Sequence, residues 1–158
     1  MIHRRLGYIG CFIVAAGLLC AGCASHWPEV DPKIQAPAQT YQMPPKEILQ
    51  RVKEIVSSPP LSIGVTEEKD GSILTGYQEF PGDWHVLRRW QERTRYRITV
   101  SPDWSNPSGA GRIEVRELTE QRAADGMEWH PAPELQRPER ARQMLATLDE
   151  QLRAKPHS

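Results

Sequence analysis

The chain reads as an α+β protein: a single domain in which an antiparallel sheet of about four strands packs against N- and C-terminal helices. Three observations predict this. Residues 45–56, "PKEILQRVKEIV", and residues 137–152, "RPERARQMLATLDEQL", repeat apolar side chains at helical spacing. Between them "RYRITV" alternates polar and apolar residues, the period of a strand with one wet face. "KDGS" at 69–72 sets Asp-Gly between two such runs, a hairpin signal. A sheet polar on one face needs cover on the other, and the two amphipathic helices can supply it.

In the first helix Ile48, Leu49, Val52, Ile55 and Val56 form one stripe. Pro45 suits the first helical position, where its missing N–H costs nothing. "SSPP" at 57–60 ends the helix, because a residue before proline is pushed out of the α region. Leu61, Ile63 and Val65 then alternate with Ser62, Gly64 and Thr66 as a first strand. A second, 72–80, places Ile73, Thr75 and Tyr77 on one face and Leu74, Gly76 and Phe80 on the other.

Pro81-Gly82-Asp83 leads into "WHVLRRWQER", which fits either a continued strand or a helical turn. From 93 to 100, Thr94, Tyr96, Ile98 and Val100 share one face, and Arg93, Arg95, Arg97 and Thr99 the other. After the turn-rich "SPDWSNPSGAG", "RIEVREL" points Ile113 and Val115 inward, completing a second hairpin. Residues 121–136 read as irregular, with a short strand near 127–129. In the closing helix Ala141, Leu145, Leu148 and Leu152 form the buried stripe, helped by Met144. Pro138 and Glu139 suit its start.

Ahead of this domain stand Arg4 and Arg5, an apolar run from Leu6 to Leu19, and small residues from Ala21 to Ser25. That is the layout of a secretory signal peptide, somewhat short of the roughly 20 apolar residues a spanning helix needs. "LCAGC" at 19–23 resembles the bacterial lipobox. The resemblance implies a lipid on the Cys23 sulfur, cleavage before Cys23 and acylation of the new amine, with 1–22 removed as signal. An ordinary secreted protein and an uncleaved anchor are the alternatives. Cys20 fits worse, with bulky Leu18 and Leu19 before it. A redox or zinc role for Cys20 and Cys23 lacks the βαβ context and the further ligands it would need. Removing the signal leaves no cysteine after Cys23, hence no disulfide.

Residues 23–44 carry Pro28, Pro32, Pro37 and Pro44 without apolar periodicity and read as a mobile tether. The expected boundaries are therefore signal 1–22, lipidated cysteine and tether 23–44, and periplasmic domain 45–155. Ala24 and Ser25 after the lipid cysteine resemble the outer-membrane sorting class. Twenty basic residues balance twenty acidic ones, and loss of Arg4 and Arg5 leaves eighteen against twenty. Nothing in that balance argues for a nucleic-acid partner.

The order helix, hairpin, "GSILTGYQEF", "RYRITV", polar strand and "RARQMLATLDEQL" resembles one helix-grip domain of the BamC family. Those proteins are lipoproteins of the outer-membrane β-barrel assembly machinery. The resemblance is one of pattern over residues 45–153. It implies a non-catalytic scaffold role with an envelope protein as partner. BamC has two such domains and a long N-terminal docking segment; this chain has one domain and a short tether.

No catalytic motif stands out: there is no nucleophilic elbow, no phosphate-cradling glycine loop and no signature of a cofactor. Asp83, His85 and His130 are a turn aspartate and surface histidines rather than a metal set, since no third ligand with fitting spacing appears. The sharper feature is "RRWQERTRYR". Arg93, Arg95 and Arg97, opposed in that run only by Glu92, offer a patch for an acidic partner, a lipid headgroup or an anionic glycan. The competing expectation is pairing across the sheet with Glu79, Glu114 or Glu117. Trp84, Trp90, Trp104 and Trp129 are candidate interface residues or core filling under loops. Two function classes follow. The first is a membrane-anchored interaction module of the cell envelope. The second is a lipoprotein holding a small apolar or envelope-derived ligand, glycan or lipid, between sheet and helices.

Overall fold

A computed structural model describes residues 35–80, 84–85, 88–106, 109–123 and 125–154, excepting the side chains of 80–89. The signal segment, Cys23, the tether as far as residue 34, and Asp83 lie outside the described residues, as do the side chains of Trp84 and His85. Among the described residues no helix is long and apolar enough to cross a membrane.

The elements are β1 (Ala38–Tyr41), α1 (Pro45–Ser57), β2 (Val65–Lys69), β3 (Ser72–Thr75), β4 (Gln78–Phe80), β5 (Trp84–His85), β6 (Arg88–Pro102), β7 (Gly111–Ala123), β8 (His130–Pro131), a 3-10 turn (Pro133–Leu135) and α2 (Pro138–Ala154). The described residues form an α+β fold with a large antiparallel sheet and two α-helices. The sheet holds more strands than the four expected, because its spine is one long hairpin, β6 against β7, flanked in two halves. At the hairpin's loop end the order is β1-β7-β6-β3-β2. At the other end β4 and β5 pair with β6, and β8 pairs with β7.

The expected tether ends sooner than residue 44. Ala38–Tyr41 pairs with β7, Thr40 lying opposite Arg112 and Tyr41 opposite Gly111. Tyr41 and Met43 are buried in the core. Four residues are too few to show alternation, and the flanking prolines mask them. Of "WHVLRRWQER", Trp84–His85 and the residues from Arg88 onward are strand. The short strand expected at 127–129 forms later, at His130–Pro131. The first strand of the first hairpin begins at Val65, with Leu61 and Ile63 packed against the core before it.

The Asp70-Gly71 turn is as expected, both residues taking positive φ (49° and 75°) as a two-residue hairpin requires. One helical stripe, Ile48, Val52, Ile55 and Val56, packs with Ala141, Met144, Leu148 and Leu152 of the other against Ile73, Tyr96, Ile98, Ile113 and Val115 of the sheet. Leu145, on the edge of its stripe, is only partly buried. All the inward β6 and β7 residues follow the period-two assignment. The space between α2 and the sheet leaves a cavity of about 10 Å³ beside Val115, Pro138 and Ala141. That holds one water at most.

Candidate functional site

The same alternation that buries Tyr96 and Ile98 sends Arg93, Arg95 and Arg97 to the face that neither described helix covers. Register sets their neighbours on β7: Arg93 opposite Glu120, Arg95 opposite Leu118, Arg97 opposite Arg116. Of the expected acids, Glu79 is exposed and stands opposite Arg93 in the register. Glu114 engages Arg116 through Nε at 2.6 Å, and Glu117 points to the opposite face. The partner is Glu120, which accepts Arg93 Nε at 2.7 Å and Nη2 at 2.5 Å and has Arg95 Nη2 at 3.7 Å.

Tyr77 completes the group. Leu74 stands opposite Arg97, but Gln78 stands opposite Thr94, so β3–β4 spends four residues where β6 spends three. That extra residue is a bulge, which moves later side chains to the other face. Tyr77 therefore leaves the face of Ile73 and Thr75 and donates to Glu120 Oε1 at 3.0 Å. Gly76 permits the bulge: a Cβ there would lie 2.2 Å from the Ile63 carbonyl oxygen. Burial first, then the hydrogen bond to Glu120, raises the Tyr77 pKa above the usual phenol value.

The planar groups stack. Arg93 lies over the Tyr77 ring at 3.7 Å and over Trp129 at 4.3 Å. Arg95 lies over Tyr77 at 4.8 Å, and Arg122 over Trp129 at 4.6 Å. The order across the face is Arg122, Trp129, Arg93, Tyr77, Arg95. Guanidinium over aromatic rings contributes roughly 0.5–1 kcal/mol at exposed sites and more when desolvated. Leu74 and Leu118, on this same face, are both only 2% exposed, as arginine stems covering apolar residues would leave them.

The described tryptophan side chains, Trp90, Trp104 and Trp129, do not share one patch. Trp129 belongs to the stack. Trp90 is half-buried and lines, with Ala123, Met127 and His130, an open cleft of about 450 Å³. Trp104 sits beyond Pro102, about 40 Å of strand from Trp90, and is 90% exposed. Its loop is held by Asp103, which accepts Ser105 N at 3.1 Å, Ser105 Oγ at 2.5 Å and Thr40 Oγ1 at 3.1 Å. The Ser105 bonds pull the Asp103 pKa below the ordinary carboxylate value. His130 is exposed, and the described residues hold no cluster of three or more potential metal ligands.

A second polar cluster lies under α2. Glu92 does not offset the arginines beside it in sequence, because it faces the helices. It pairs with Arg140 Nη1, which also donates to Glu117 Oε1 at 3.1 Å and Thr94 Oγ1 at 3.2 Å. Glu117 further accepts Thr119 Oγ1 at 3.0 Å, and its Oε2 accepts the Arg137 backbone N–H at 2.7 Å, just ahead of α2. A carboxylate there satisfies an orphan amide and opposes the positive helix end. Burial alone would lower the Arg140 pKa; the hydrogen bonds and charges of Glu92 and Glu117 outweigh it and raise it. This network fastens the helix to the sheet, and the cavity of about 10 Å³ beside Glu117 and Pro138 holds one water at most. The signal for it was parity: Glu92 and Glu117 share the inward register of Tyr96 and Val115. No family model matches the chain, and no curated protein matches it in sequence.

Proposed function

We propose that this chain is a bacterial lipoprotein anchored through Cys23 at the outer membrane, its helix-grip-like domain facing the periplasm as a non-catalytic interaction module in envelope assembly. The lipobox-like "LCAGC" supports the address. The observation that carries the contact role is the stacked layer Arg122, Trp129, Arg93, Tyr77, Arg95 on the helix-free face. Arginine and large aromatics dominate protein contact energies, and side chains already held in place lose little freedom on binding.

A photo-crosslinking residue in place of Arg122, at the end of the stack, is expected to give a discrete adduct in intact envelopes. The same probe in place of Arg142, on the exposed side of α2, is expected to give none. Equal labelling from both positions overturns the contact face. Mass spectrometry of the mature protein tests the anchor; an unacylated Cys23 or an intact N-terminus sinks it. A small envelope-derived apolar ligand is the second reading. The cleft at Trp90 favours it, since about 450 Å³ falls within the size range of small-molecule sites.

A further inference from the structure

We propose that Arg97 and Arg116, flanked by Arg95, form a binding site for a phosphate group. The proposal rests on reading the helix-free face as the contact surface and narrows it to one ligand chemistry.

The register places Arg97 directly across from Arg116 on adjacent antiparallel strands. Like charges in that relation repel, with Cβ atoms about 5 Å apart. Arg95 stands on the same face two residues along β6. Acids flank the arrangement. Glu120 is engaged by Arg93 and Tyr77, and lies 3.7 Å from Arg95. Glu114 is turned along its own strand to Arg116 Nε. Glu67, opposite Leu74 on β2, stands in line with Arg97 across β3 and attracts it.

The environment sharpens the charge. Leu74, beside Arg97, and Leu118, opposite Arg95, are buried in the same face, an apolar floor on which electrostatic attraction is stronger than in water. Arg95 Nε is buried and has no hydrogen-bond partner among the described residues. Burial, then Arg116 and Arg95, lower the Arg97 pKa against the pull of Glu67. A planar carboxylate satisfies one guanidinium fork. A tetrahedral phosphate presents oxygens in several directions and can accept from two or three forks at once, relieving the repulsion between Arg97 and Arg116.

Two sources share this chemistry, a soluble phosphomonoester and the phosphodiester of a lipid headgroup. The test is thermal unfolding of the full-length chain in non-ionic detergent, with chloride at matched ionic strength as reference. One arm adds inorganic phosphate, the other glycerophosphoglycerol, the water-soluble diester of a headgroup. Binding by the native state alone is expected to raise Tm by about 6 °C at ten times the dissociation constant. Arg97→Gln and Arg116→Gln, each folded by near-ultraviolet circular dichroism, are expected to lose the shift, and Arg142→Gln to keep it. A shift with phosphate alone assigns a soluble monoester; a shift with the diester assigns a headgroup. No shift in either arm, or one that survives both substitutions, overturns the site. In that case an Arg122 adduct that persists leaves the contact face standing without its phosphate.

Discussion

Replacing Glu120 by glutamine keeps the shape of the side chain and removes the charge around which the helix-free face is organised. Glu120 accepts two donors from Arg93 and one from Tyr77, and holds Arg95 at 3.7 Å. The residues are mostly shielded, with side-chain exposures of 22% for Arg93, 17% for Arg95 and 12% for Glu120. At an effective dielectric of about 20, the Arg95 attraction alone comes to roughly 4 kcal/mol before desolvation is counted. A glutamine carbonyl can still accept from Tyr77 or Arg93, so the net loss is expected near 2 kcal/mol. For a domain of this size that is about 8 °C in Tm. Urea unfolding followed by tryptophan fluorescence measures it. Pairing Glu120→Gln with Arg93→Met in a double-mutant cycle is expected to show a coupling of about 1 kcal/mol or more. A cost below about 0.5 kcal/mol, or fully additive substitutions, would refute the account of this face as one network.

Alkaline pH probes the buried phenols. Tyr96 is pushed up to about 12 by burial and by Glu117, and Tyr41 and Tyr77 are raised as well. Raised folded pKa values mean full stability below pH ~10, where both states keep the proton, and loss above it, where the unfolded chain ionises first. Denaturation midpoints are expected to stay level to pH ~10 and then fall through pH ~12, with Tyr96→Phe flattening the fall; a level profile in the wild type contradicts this. Gly76→Ala forces a Cβ toward the Ile63 carbonyl and is expected to cost about 2 kcal/mol. It should also detach Tyr77 from Glu120, read as a Tyr77 ring-proton shift in NMR; an unperturbed spectrum counts against the bulge.

What could be read from the chain itself was whatever depends on near neighbours. The stripes of the helices, the Asp70-Gly71 turn and the alternation of 93–100 follow from local spacing, and they are enough to specify α+β and to place Arg93, Arg95 and Arg97 on one face. Even Glu92 and Glu117 could have been assigned inward by counting parity with Tyr96 and Val115. Register could not be read. Which β7 residue meets each arginine depends on pairing between strands joined through the 103–110 connection, and Glu120 rather than Glu114 or Glu117 follows from that pairing. The bulge at Gly76 is non-local too: its cause is the Ile63 carbonyl, and its effect is to carry Tyr77 across the sheet. β1 exists because β7 offers an open edge beside it, not because "AQTY" prefers to be a strand. Local composition determined which residues would be wet. Only the folded sheet decided that five of them would stack and that two arginines would face each other.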